Sequence, residues 1–166
     1  MSAAYLALPG TATPAGARFS GTELTSLDRG VLQQLNEIRA LHGLTALKLD
    51  PSLNASAAQH SDEMGMKGYF EHNSADGTLF WKRIQRYYPA TNFSYWSVGE
   101  NLLWSSPDVD AAQAMRMWMN SPEHKANILN PRWRQIGISA VHLDSAPGTY
   151  QNLSVTIITT DFGVRR

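Results

Sequence analysis

The chain has 166 residues, with fourteen basic and fourteen acidic side chains and no cysteine. This length favours a single domain with a full hydrophobic core. The balanced charge offers no basic surface for nucleic acid, and the lack of cysteine excludes disulfides, zinc–thiolate sites and a cysteine nucleophile. The longest apolar stretches fall far short of the ~20 residues that cross a bilayer, so we expect no transmembrane segment.

The first 24 residues are rich in alanine, glycine, proline and threonine and show no hydrophobic period. Such a composition is typical of an extension of low order. It lacks the basic start and the apolar centre of an intact signal peptide. We therefore divide the chain into an extension over residues 1–24 and one folded domain over residues 25–166.

Two amphipathic helices are predicted at the start of the domain. In the first, apolar side chains recur every three or four residues, and we expect Ser26 to cap it. In the second, Asp50 is the expected cap and Pro51 takes the first helical position. His60 lies on the apolar face of this second helix. We interpret it as a core histidine with a hydrogen-bond partner rather than as a ligand.

The middle of the chain predicts a loop, a short helix, a strand and a longer helix. The stretch "YFEHNSADG" places His72 in the loop before the short helix. The stretch "NFSYWSV" has the aromatic and β-branched content of a strand that we expect to end at Val98, with Glu100 just beyond it. The longer helix is predicted to begin with Ser106 as its cap and Pro107 as its first residue.

The stretch "NSPEHKANIL" predicts a further helix. Ser121 is the expected cap, Pro122 the first residue, and Glu123 lies in the first turn, where the helix dipole favours an anion. The same dipole opposes a cation and so favours a neutral imidazole at His124. A neutral imidazole is the form that a metal ligand or a general base requires.

The C-terminal part of the chain predicts an antiparallel pair of strands. The stretches "RQIGISAVHL" and "NLSVTIITTDFG" both alternate, and a loop that contains proline and glycine joins them. Helices come first, strands come last, and one more strand precedes Glu100. This order predicts an α+β fold in which helices pack against an antiparallel sheet.

Four segments, in this order and spacing, resemble the bacterial, cysteine-free branch of the CAP superfamily, the cysteine-rich secretory, antigen and pathogenesis-related proteins, also called SCP-domain proteins. The segments are "YFEHNSADG", "SVGENLL", "MWMNSPEHKANILNPRWRQIGI" and "TTDFG". The resemblance covers roughly residues 27–163. It implies an α-β-α sandwich with a central, mainly antiparallel sheet. It also implies a secreted or cell-envelope protein, and we expect a monomer.

The resemblance further implies a cleft lined by two histidines and two glutamates, which often holds a divalent cation. The matching residues are His72, Glu100 within "GEN" and His124 within "SPEH", and these three are the expected metal ligands. Ser121 stands where the eukaryotic pattern has its second glutamate, and Glu123 is the candidate to replace that glutamate in the cleft. Two imidazoles and a carboxylate favour zinc.

Two classes of function are consistent with these residues. The first, which we favour, is an extracellular binding module whose cleft accepts a lipid, a glycan or a peptide. The second is a metal-dependent hydrolase, a peptidase or an esterase, in which His72, Glu100 and His124 serve a metal-activated water. A serine nucleophile at Ser74 or Ser121 is a weaker form of this second class, because no nucleophile-elbow sequence is present. A domain that only displays a surface to a protein partner is a third class.

Overall fold

The computed structural model describes residues 24–166, so the predicted extension lies outside the described residues except for Leu24. The elements are, in chain order, α1 (Ser26–Leu41), β1 (Lys48–Leu49), α2 (Pro51–Lys67), α3 (Phe80–Tyr87), β2 (Trp96–Ser105), α4 (Ala111–Met119), α5 (Pro122–Ile128), β3 (Gln135–Ala146) and β4 (Leu153–Arg165). A search of residues 24–166 finds no helix with the length and apolar character needed to span a membrane.

The four strands form one sheet in the order β1-β3-β4-β2. Strands β3 and β4 pair antiparallel, as the sequence predicts, and β4 also pairs antiparallel with β2. Only the short β1 runs parallel to its neighbour β3 within this sheet. The predicted α+β fold with a mainly antiparallel sheet is therefore confirmed, and β2 forms one edge of the sheet.

Helices cover both faces of the sheet. Successive side chains of a strand point to opposite faces, so neighbouring residues of β2 show which helices pack on each face. Leu102 of β2 packs in a cluster with Met64 of α2. The next residue, Leu103, packs on the opposite face in a cluster with Val31 of α1 and Trp118 of α4. Helices α2 and α3 therefore form one layer and α1, α4 and α5 the other, which confirms the α-β-α sandwich.

Helix α2 packs directly against the sheet, where glycine permits a close approach. Asp50 accepts hydrogen bonds from the first turn of α2 and Pro51 is its first residue, as predicted. One turn on, a Cβ added to Gly137 of β3 would lie 2.0 Å from the carbonyl carbon of Leu53. Only glycine therefore allows the backbones of α2 and β3 to come this close.

Two helix caps differ from the sequence prediction. Thr25, not Ser26, caps α1, and its side chain and that of Asp28 form a reciprocal capping box. Asp110, not Ser106, caps α4, so the helix begins later than predicted. Both errors have the same origin, because several neighbouring residues can each serve as a cap and the packing of the helix selects among them.

The predicted end of β2 at Val98 is also wrong. The strand continues through Gly99 and Glu100 to Ser105. Gly99 does not break the strand; it makes room for side chains from the layer of α5. A Cβ at this position would lie 2.8 Å from Asn127 and 2.9 Å from Trp133. Glu100 therefore lies within the strand and not just beyond it.

The contact at Gly137 leads to a first prediction. Gly137→Ala should destabilise the protein by about 3 kcal/mol or more, because the added methyl group overlaps the backbone of α2, which has no freedom to move aside. Chemical denaturation measures this loss. Gly77→Ala is the control, since its Cβ would meet open space and only the left-handed backbone at φ 80° would cost about 1 kcal/mol. Equal losses in the two variants would contradict the prediction.

Candidate functional site

Glu100 of β2 is the centre of a buried polar cluster. Its side chain is fully shielded from solvent and forms an ion pair with the guanidinium of Arg83 from α3. Its other carboxylate oxygen lies 2.7 Å from Nδ1 of His72. Arg83 also donates a hydrogen bond of 2.8 Å to the backbone carbonyl of His72. Glu100 and Arg83 therefore hold the ring and the backbone of His72 together.

A second buried carboxyl group lies beside Glu100. Asp161 of β4 pairs with Glu100 across the sheet and is 0% exposed. Neither of its carboxyl oxygens has a hydrogen-bond partner within residues 24–166. Burial and the negative charge of Glu100 raise the pKa of Asp161 well above its ordinary value. Burial raises the pKa of Glu100 to about 7, and Arg83 opposes that rise.

These two carboxyl groups therefore share one negative charge. Glu100 carries it, because Arg83 and His72 both contact Glu100 and stabilise its anion. Asp161 remains protonated, since a second buried anion would repel the first. Neither Arg83 nor Asp161 was among the predicted site residues. Asp161 was detectable, because the alternation of "VTIITTDFG" places it on a buried face of β4, where a charged residue is unusual.

His60 of α2 completes the buried cluster. It is 0% exposed, its Nε2 lies 3.0 Å from the carbonyl oxygen of Glu71, and the same nitrogen is 4.0 Å from Glu100. Burial and the charge of Arg83 lower its pKa to about 3. The ring is therefore neutral, and its Nε2–H donates to the carbonyl. The structure confirms the predicted core histidine and places it next to the candidate site.

His124 lies in the first turn of α5 and contacts Ser121. The Nδ1 atom of His124 is 2.8 Å from the hydroxyl oxygen of Ser121. Ser121 occupies the cap position by its backbone, but its side chain makes no capping hydrogen bond. The prediction that its side chain caps α5 is therefore wrong, because its hydroxyl group forms a hydrogen bond with the imidazole of His124 instead. Glu123 lies in the first turn of α5, as predicted, and is exposed; that it lines the cleft in place of the missing glutamate stays a prediction.

The two histidines reach the edge strand β2 from opposite layers of the sandwich. His72 contacts Glu100, whose side chain points toward α2 and α3. Asn101, the next residue, points to the other face and donates a 3.1 Å hydrogen bond to the backbone carbonyl of His124. Burial is the main cause that lowers the pKa of both histidines. The charge of Arg83 lowers the pKa of His72 further, and repulsion from His72 in its protonated form lowers the pKa of His124 further.

The geometry defines which atoms are available to a divalent cation. Nδ1 of His72 faces Glu100 and Nδ1 of His124 faces Ser121, which leaves Nε2 of each ring as the nitrogen for a ligand. The oxygens of Glu100 already contact Arg83 and His72. Within the described part of the chain, no group of three or more histidine, aspartate and glutamate side chains is arranged to hold a metal ion. That His72, Glu100 and His124 bind a cation stays a prediction.

An apolar groove of about 250 Å³ begins at His124 and follows β2. We call it the β2 groove. It is lined by Phe70, Leu102, Leu103, Trp104, Met117, Trp118, Ser121 and His124. Phe70 comes from the loop after α2, and Met117 and Trp118 come from α4. The groove therefore lies between the two helical layers, along the edge of the sheet.

The contact between Ser121 and His124 leads to a second prediction. Ser121→Ala should lower the free energy of unfolding by only about 0.5 kcal/mol, because it loses the partly exposed contact with His124 but no capping hydrogen bond. Asp110→Ala is the matched control at the start of α4, where loss of a true capping box should cost about 1 kcal/mol. Urea denaturation compares the two variants. A loss at Ser121 as large as that at Asp110 would contradict this assignment.

A third prediction concerns Asp161. Its raised pKa means that the folded state holds a proton that the unfolded state releases, so its contribution to stability is full below the unfolded pKa and is lost as pH rises. An asparagine side chain at this position would have no such proton to lose. The stability of Asp161→Asn relative to the natural chain should therefore increase as pH rises from about 5, until Asp161 ionises in the folded protein as well.

The measurement is chemical denaturation across that pH range. Asp144→Asn, which changes a fully exposed carboxylate, is the control and should follow the profile of the natural chain. Parallel profiles for Asp161→Asn and the natural chain would show that Asp161 is ionised in the folded protein.

Comparison with solved structures places this fold among known domains. An extracellular SCP-domain protein from Bacillus anthracis matches with a TM-score of 0.61 and 27% identity, over 87% of this chain and 45% of that one. An outer surface protein from Borrelia burgdorferi matches with a TM-score of 0.64 and 23% identity, over 83% and 92% of the two chains. The second likeness is one of fold alone.

Sequence comparison agrees. Protein YkwD of Bacillus subtilis is 29% identical over 124 residues, which are 75% of this chain and 46% of YkwD. The membrane protein YlbC of the same organism is 28% identical over 114 residues, 69% of this chain and 31% of YlbC. The chain thus spans less than half the length of these relatives. The model of the CAP, or cysteine-rich secretory protein, family matches residues 32–156, and the chain belongs to this family.

Proposed function

We propose that the domain is an extracellular binding module that holds a divalent cation between Nε2 of His72 and Nε2 of His124, at the end of the β2 groove. The observation that carries the proposal is the contact between Nδ1 of His72 and Glu100, which Arg83 holds in place. Imidazole ligands of metals commonly donate their other N–H to a carboxylate, which fixes the ring and raises its basicity. Glu100 then serves as the support of a ligand.

The protonation of the site is consistent with this role. The pKa values of His72 and His124 are both lowered, chiefly by burial, so both rings are neutral at neutral pH. Metal ligation requires the neutral ring. Two imidazoles favour zinc among the common divalent cations, and zinc would supply an open coordination position for a polar group of the ligand.

Binding is favoured over hydrolysis by the state of Glu100. A general base for metal-activated water needs a carboxylate that reaches the water. Glu100 is buried, and its oxygens contact Arg83 and His72. One observation favours the hydrolase: the hydroxyl of Ser121 lies 2.8 Å from His124, as a nucleophile lies from its base. An ester substrate tests it, because turnover that Ser121→Ala abolishes would support the hydrolase over the binding module.

The extracellular location is part of the proposal. The Bacillus anthracis structure at 27% identity is described as an extracellular protein.

The fourth prediction tests the cation site by calorimetric titration with zinc near pH 7.5. His72→Ala and His124→Ala should each weaken zinc binding at least about tenfold, and the double variant should abolish it. His142→Ala is the matched control, because His142 lies half-exposed on β3 and contacts Thr156 rather than the site. It should bind zinc as the natural chain does.

Lower pH provides a second readout of the same titration. Because the pKa values of both histidines are lowered, their rings stay neutral somewhat below the ordinary value of about 6.5. Zinc affinity should therefore change little between about pH 7.5 and 6.5 and fall at lower pH. Zinc binding that survives the double variant would place the ion elsewhere and refute the proposal.

A further inference from the structure

We propose that the β2 groove binds an extended peptide segment by β-strand addition, in which the peptide pairs its main chain with the free edge of β2. The inference rests on the proposed binding module and names its ligand class. It depends on three observations: the position of β2 in the sheet, the direction of its main-chain groups, and the apolar walls on either side of it.

The main-chain groups of β2 show which residues face away from the sheet. The carbonyl of Glu100 accepts a hydrogen bond from Asn127, and the carbonyl of Leu102 accepts one from the indole of Trp118. Both donors belong to the layer of α4 and α5, beyond the edge. Residues of an antiparallel strand alternate in the side to which their N–H and C=O groups point. Trp104, two residues after Leu102 in an unbroken register, therefore also faces outward.

Within residues 24–166, part of this edge has no partner. The strand order places β4 on one side of β2 only. Among the hydrogen bonds of residues 24–166, none pairs the outward N–H of Leu102 or the outward N–H and C=O of Trp104. The edge thus holds an unpaired N–H and C=O at the half-buried Trp104 and an unpaired N–H at Leu102, which is 5% exposed, spaced as a β-strand requires.

The walls of the groove suit the side chains of an added strand. Phe70 forms one wall, and Met117, 46% exposed, lies on the other side together with Trp118. Side chains of an extended peptide alternate between two directions, so they would pack against these two apolar walls in turn. Polar lining residues occur only at the end of the groove, at Ser121 and His124.

The unpaired main-chain groups of this edge favour a peptide over a lipid as the ligand. An acyl chain in the groove would cover the apolar walls, but it would also remove water from the N–H and C=O groups of Trp104 without replacing their hydrogen bonds. An extended peptide satisfies these groups and fills the walls together. A glycan lacks the apolar side chains that the walls would contact. The combination of unpaired main-chain groups on β2 and apolar side chains on either side of them therefore fits a peptide best.

The fifth prediction uses the full chain and a fluorescent heptapeptide of alternating valine and threonine with lysine at its ends. Fluorescence anisotropy measures its binding. Two further peptides carry N-methyl groups on alternate amides, one on the odd and one on the even positions. One of these two should bind at least about tenfold more weakly, because its amides face β2, while the other should bind within about twofold of the parent.

Two measurements test whether the peptide binds in the β2 groove. Peptide binding should slow hydrogen exchange at the amides of Leu102 and Trp104, followed by NMR. Met117→Asp should weaken peptide binding at least about tenfold. Met66→Asp, which changes a 60% exposed methionine of α2 outside the groove, is the matched control and should leave peptide binding unchanged.

Three outcomes would overturn the inference: no binding of the parent peptide, equal binding of both N-methylated peptides, or equal effects of the Met117 and Met66 variants. Dodecanoate, tested in the same way, represents the lipid alternative. If dodecanoate binds, Met117→Asp removes that binding, and the peptide does not bind, then the groove is a lipid site. The zinc titration of the natural chain does not depend on these results. If the peptide does not bind but zinc still binds through His72 and His124, the peptide inference is refuted and the proposed cation site stands.

Discussion

The buried ion pair between Arg83 and Glu100 is the interaction on which the site depends. It joins α3 to the edge strand β2 and holds His72 at two points, its ring through Glu100 and its backbone through Arg83. Removal of either charge would leave the other buried and unpaired, which typically costs about 3–5 kcal/mol. The pair therefore adds little net stability. It does restrict the conformation of the loop around His72, because few other arrangements of that loop satisfy both charges.

The groups around this pair keep the interior neutral. Arg83 and Glu100 carry opposite charges, while Asp161 and His60 are held neutral, the first by burial beside an anion and the second by burial beside a cation. Each neutral group would add an uncompensated charge to the core if it ionised. Asp161 therefore fills the space beside Glu100 without competing for Arg83. The cluster presents a single anion to His72, which orients one ring nitrogen inward and leaves the other for a ligand.

Periodicity in the sequence predicts most of the fold but little of the site. The helices, the β3–β4 pair and the layered arrangement follow from the spacing of apolar residues. The prediction that β2 ends at Val98 was wrong because Gly99 is needed for packing and not for a turn. Its neighbours Asn127 and Trp133 come about thirty residues later in the chain and leave no room for a side chain at position 99. The proximity of His72 to Glu100 was likewise accessible only through family resemblance. Asp161 was open to prediction, since a charged residue in a buried alternating strand departs from the pattern that surrounds it.

The edge strand connects the proposed cation site with the groove. A free sheet edge invites association, and proteins usually cover it or place charges on it. Here Asn127 and Trp118 cover the carbonyls of Glu100 and Leu102. The outward main-chain groups of Trp104 have no hydrogen-bond partner in the described part of the chain and lie next to apolar side chains. The same strand carries Glu100 near its middle and Trp104 near its C-terminal end. A strand added at Trp104 would run toward His124, so a polar group at its end would meet the open position of a bound cation. Main-chain pairing would then supply the affinity, and the cation would select the register.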